Sequence, residues 1–162
     1  MEFQNLAMLN PSLGNIGATL KGKARQILLL ALAATLLAAA DACSMVKGRE
    51  TAGRAVSRFH DQLNSGSYLD IYRQTDEGFQ KATAEADARA LFEAVRRKLG
   101  TVKNANQIGW GVNATTGGTV VRLAYDTEFT EGRATEQFVF YVSGDNARLF
   151  QYNIVSPLLI TR

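Results

Sequence analysis

"TVVRLAYDTEF", Thr119 to Phe129, alternates without interruption: Val121, Leu123, Tyr125, Thr127 and Phe129 fall on one side, Val120, Arg122, Ala124, Asp126 and Glu128 on the other. A period of two sends successive side chains to opposite faces, so this segment predicts a half-buried strand with one apolar and one mixed face. The pattern continues outward. "TEG", Thr130 to Gly132, is a short hairpin connection. "ATEQFVFYV" then returns, with Phe138, Phe140 and Val142 on one side and Val139 and Tyr141 on the other. "SGDN", Ser143 to Asn146, is a second turn, and "ARLFQYNIV" follows with Phe150, Tyr152 and Ile154 alternating. Upstream, a first strand is expected around Ile108 to Ala114, ended by a turn at Gly117 and Gly118. The C-terminal part therefore reads as an antiparallel meander of about four strands.

Before the meander the period changes. In "ETAGRAVSRFHDQLN", Glu50 to Asn64, the residues Ala52, Val56, Phe59 and Leu63 share one helical face, and "SGS" with Gly66 stops the helix. "YLDIY", Tyr68 to Tyr72, reads as one or two helical turns that tuck aromatics inward, and "QTDEG" as a loop. "TAEADARALFEAVRRKLG" predicts a longer helix. Thr83 is its candidate N-cap and Ala88, Leu91, Phe92, Val95 and Leu99 form its apolar stripe. Acids in the first turn and Arg96, Arg97 and Lys98 in the last suit the helix dipole, and Gly100 closes it. Helices first and a meander second make an α+β domain, with the helices packed on one face of the sheet.

The N-terminal part has a different composition. "KGKARQ" precedes "ILLLALAATLLAAA", Ile27 to Ala40, an apolar run of 14 residues. A membrane-spanning helix needs about 20. A positive flank, a short apolar core and the small-residue motif "ADA" before Cys43 fit a secretory signal, with cleavage after Ala42 and a start at Met1 or Met8. The stretch also resembles a bacterial lipobox, although Ala40 and Asp41 stand where Leu and a small uncharged residue are usual. A lone cysteine exposed at a mature N-terminus in an oxidising compartment would pair with another chain or oxidise, and acylation of its sulfur removes that liability. The expected organisation is thus a signal peptide over 1–42, a lipidated N-terminus with a short linker over 43–49, and one domain over 50–162. Ser44 after Cys43 points to the outer membrane, periplasm-facing; a soluble periplasmic protein is the alternative.

Several functions are excluded by composition. Past residue 42 there are 15 basic and 13 acidic residues, so no electrostatic footprint for nucleic acid exists. One histidine and one cysteine offer no metal-ligand cluster, and no phosphate-binding loop or cofactor motif occurs. His60 could be a general base, but a lone histidine beside an apolar stripe is more often a packing residue. Asp61, Asp70, Glu128 and Glu136 read as solvated or capping charges that could otherwise approach a pocket mouth.

"FHDQLNSGSYLDIY", "GFQKAT", "VRRKLG", "YDTEF" and "EQFVFYV" together resemble an uncharacterised family of small exported bacterial proteins over about residues 50 to 156. The resemblance implies a cystatin-like fold of the nuclear transport factor 2-like kind, a cone whose curved sheet can enclose a pocket, and implies no activity. In such a cone His60, Tyr125, Phe138, Phe140, Phe150 and Tyr152 are the candidate pocket-lining residues, with no cofactor and no metal. The expected function is a non-enzymatic, lipid-anchored module that binds a small ligand or an envelope protein through the concave sheet. The alternatives are a pocket enzyme of the isomerase or dehydratase type, and a structural role through self-association as a homodimer.

Overall fold

A computed structural model describes residues 45–115 and 118–161. The region read as a signal peptide, and Cys43 with it, lies outside the described residues.

The period-two pattern becomes a four-stranded antiparallel sheet in the order β1-β2-β3-β4, with β1 Val102–Thr115, β2 Gly118–Phe129, β3 Arg133–Ser143 and β4 Asn146–Val155. On β2 the expected face is buried at Val121, Leu123, Tyr125, Thr127 and Phe129, and on β3 at Ala134, Glu136, Phe138, Phe140 and Val142. The helices cover this inner face, and the outer face is open. The architecture is α+β, helices on one face of an antiparallel sheet, as the order of the elements requires.

Helix α1 is already formed at residue 45 and runs to residue 65, so most of the segment read as a linker over 43–49 belongs to the fold. Gly48 marks where this first turn docks. It lies against the sheet, where a Cβ would stand 3.6 Å from Thr119 and 3.7 Å from Val121. At the other end Asn64 acts as a backbone clamp: its Nδ2 donates to the Val102 carbonyl and its Oδ1 accepts from Val102 N–H at 2.8 Å. α1 therefore lies along the β1–β2 hairpin, beginning near the hairpin's tip and ending at its base.

Helix α2, Tyr68–Arg73, follows the left-handed Gly66, as expected. The stretch read as a loop contains the start of another helix, α3, Glu77–Ala82, whose first turn is capped by the Asp76 side chain accepting from Gly78 N–H. The α2–α3 connection also closes the edge of β4: Asp76 N–H donates to the Leu149 carbonyl and Arg148 reaches back to the Thr75 carbonyl. Gly78 is needed there, because a Cβ would come within 2.5 Å of the Phe150 ring.

Helix α4 is Glu85–Leu99, and Thr83 closes α3 where it was expected to open α4. Its stripe buries Ala88, Phe92, Val95 and Leu99 and leaves Leu91 largely outside. Gly100 ends it at φ +82° and ψ −151°, a conformation almost confined to glycine, and a Cβ there would collide with Thr130. Helix α5, Pro157–Thr161, was not expected from the sequence and tucks Leu158 and Leu159 against the core.

Candidate functional site

The inner face of the sheet converges on an aromatic cluster. Phe59 from α1 packs on Phe92 from α4, on Phe138 from β3 and on Tyr152 from β4, with ring centroids 5.6, 5.2 and 4.8 Å away. Phe138 lies 5.1 Å from Tyr152 and stacks on Phe140 at 6.0 Å. Such pairs contribute about 0.5–1.5 kcal/mol each beyond the area they bury. They occupy the space that a concave sheet could have left for a ligand.

Inside this apolar wall sits one carboxylate. Glu136 follows the parity of Phe138 and Phe140 along β3, so it points inward, and its side chain has no access to solvent. Three donors from three other elements reach it. Thr127 Oγ1 on β2 donates to Oε2 at 2.5 Å and Tyr152 Oη on β4 donates to Oε1 at 2.7 Å. His60 Nε2 on α1 lies 2.8 Å from Oε2. A carboxylate can only accept, so Nε2 carries the proton of this bond. The His60 ring is 6% exposed and is held edge-on by Phe59, Tyr125 and Phe138. No buried side-chain nitrogen or oxygen among the described residues lacks a partner.

This network perturbs both tyrosines. Burial pushes the Tyr152 hydroxyl well above its ordinary value of 10.0, and the negative charge of Glu136 and the hydrogen bond to it act in the same direction. Tyr125, paired across the ladder with Glu136, is raised mainly by burial; Arg49 opposes that shift and Glu136 adds to it.

Of the candidate pocket residues, five meet here: His60, Tyr125, Phe138, Phe140 and Tyr152 are buried or half-buried in one cluster. Phe150 stands apart. A register shift between Val139 and Phe140 lets β4 bury Leu149, and Phe150 packs near Gly78 and against Tyr141, 4.9 Å away, at the sheet edge. The surface acids behave as expected at Asp70, paired with Arg73, and at Glu128, paired with Lys103. Glu136 does not: the expectation of a solvated charge fails there. Thr127 and Tyr152 escaped notice as its partners because the contacts span strands.

Two openings flank the core. A cleft of about 30 Å³ between α1, α2 and β4, lined by Phe59, Ile71, Phe140 and Leu149, has room for a water molecule or so. A groove of about 350 Å³ lies over the outer face. Two cross-strand rows build it, Gly111–Arg122–Val139 and Gly109–Ala124–Gln137. The small residues form the floor, and exposed Arg122 has no ion pair among the described residues. Among the described residues no group of three metal-ligating side chains occurs. No protein-family model matches the chain, and no curated protein matches it either.

Two predictions follow from the buried carboxylate. Glu136→Ala strands the buried His60 and Thr127 donors and the half-buried Tyr152 hydroxyl and should lower the unfolding free energy in urea by about 3–5 kcal/mol, whereas exchanging His60 and Glu136 together for leucines should recover part of that loss. The raised Tyr152 hydroxyl holds its proton longer in the folded than in the unfolded chain. Its contribution to stability is thus fully present below pH 10 and is lost as pH rises toward the folded value. Thermal melts across the alkaline range should show that fall, and Tyr152→Phe should leave only the smaller Tyr125 component.

Proposed function

We propose that this chain is an exported bacterial protein, fastened to the cell envelope by acylation of Cys43, whose folded domain is a non-enzymatic binding module. The envelope half rests on the sequence: a positively flanked apolar run, "ADA", and then the chain's sole cysteine. The resemblance to small exported proteins of cystatin-like fold agrees with it. Ser44 favours outer-membrane placement.

One observation carries the non-enzymatic half. The residues a pocket enzyme would use, His60 and Glu136, are bonded to each other and to Thr127 and Tyr152 inside a closed aromatic wall. An isomerase or dehydratase needs its base facing a chamber that substrate can enter. Glu136 is wholly buried, and the aromatics beside it are packed at contact distance. The open groove on the other side of the sheet is the better place for a ligand. A floor of small residues and Arg122, which has no ion pair among the described residues, suit an anionic small molecule or an acidic segment of an envelope protein.

The intact mass of the protein recovered from a membrane fraction tests this reading. The expected mass is that of residues 43–162 plus acyl groups, and Cys43→Ser should move the protein out of that fraction. Unprocessed chain in the soluble fraction, with Cys43 a free thiol, would contradict it.

A further inference from the structure

The distribution of charge along the chain singles out one hairpin. Between Lys103 and Arg122 there are 18 consecutive residues without an ionisable side chain, in a protein in which one residue in five is charged. That run takes in most of β1 and the first third of β2. It is not a buried run. Trp110 is 58% exposed and Ile108, in the bulge between Gln107 and Gly109, is 60% exposed. β1 is also an outermost strand of the sheet.

The start of α1 lies at the same end. Gly48 packs on Thr119 and Val121, next to the tip of this hairpin, and Lys47 pairs with Asp145 in the turn between β3 and β4. Arg49 places its guanidinium 4.8 Å over the Trp110 ring and donates to Gln107. Met45 and Val46 are exposed. One end of the domain thus gathers four exposed apolar side chains, the cations Lys47 and Arg49 and the uncharged stretch 104–121; the acids there are Asp145, paired with Lys47, and Glu50, the residue after Arg49 in α1.

We propose that this end, the start of α1 with the Ile108–Trp110 side of the β1–β2 hairpin, lies on the bilayer that holds the anchor. The inference rests on acylation of Cys43. Only Ser44 stands between Cys43 and Met45, and two residue steps span at most about 7 Å. A protein anchored there has no linker to lift its folded part from the lipid. The surface that meets the headgroups is then the one around Met45, and its composition fits. Tryptophan and arginine favour the membrane interface, exposed aliphatics gain from entering it, and carboxylates are disfavoured there. A protein partner would not require an uncharged stretch of this length. The groove over Gly109, Gly111 and Ala124 belongs to the same hairpin, so the orientation also brings its mouth close to the lipid.

Trp110 is the chain's sole tryptophan, so its fluorescence reports this face alone. Full-length protein is expressed in bacteria, and the acylated product is extracted in detergent and its mass checked. It is then reconstituted into phosphatidylethanolamine–phosphatidylglycerol vesicles with and without bromine on the upper part of the acyl chains. Trp110 should lose most of its emission in brominated vesicles and be shielded from acrylamide. Ile108→Asp, at an exposed position, should weaken both effects without lowering the melting temperature. Acylated protein whose emission ignores bromination overturns the inference and leaves the anchor standing; shielding from acrylamide in detergent-free, dimeric Cys43→Ser protein would assign the face to a second copy instead. Recovery of chain without acyl groups overturns both.

Discussion

A carboxylate cut off from water must receive all its hydrogen bonds from the protein, and the placement of Glu136 follows that constraint throughout. Its partners come from α1, β2 and β4, so the helix, the β2–β3 register and the β3–β4 register must all be correct together. A slip of one residue in either ladder would turn Thr127 or Tyr152 to the outer face and leave a buried charge without its donors. Burying a carboxylate with its partners rarely stabilises a protein more than packed apolar groups would, while removing one partner is costly. The network is thus better understood as a specifier of one arrangement than as a source of net stability. The aromatic rings around it supply the favourable burial.

That reading changes what His60 means. A sole histidine next to a carboxylate invites a catalytic interpretation, and the 2.8 Å contact is within catalytic range. What is missing is access. Phe59, Phe138 and Tyr125 surround the imidazole, and the Tyr152 hydroxyl, which could have served as an acid, is committed to Glu136. On the proposed reading a ligand binds on the outside of the sheet instead. There the sheet presents a shallow groove, an arginine without an ion pair among the described residues, and the uncharged stretch from residue 104 to 121.

The sheet was readable because β2 and β3 each bury one face, so alternation alone named nearly every inward residue. The same parity, carried two residues back from Phe138, leads inward at Glu136, yet a carboxylate conflicts with the usual cost of burial and reads as a solvated charge. Only the three-dimensional convergence of Thr127, Tyr152 and His60, 9, 16 and 76 residues away in sequence, resolves the conflict. Local rules also missed α3, which is six residues long and depends on an Asp76 cap and on docking against β4. They missed the shift at Val139, which exchanges Leu149 for Phe150 as the buried residue of β4. The groove left no local signal, since its rows are assembled from Gly109, Gly111, Ala124 and Val139 on three strands.

The reactivity of His60 toward diethylpyrocarbonate tests the closed-core account most directly, because the chain contains a single histidine and modification can be localised by peptide mass. The account predicts that His60 in the native protein reacts far more slowly than in the urea-unfolded chain. Equal rates in the two states would mean that the imidazole faces solvent, and that an open site exists where a sealed hub is described.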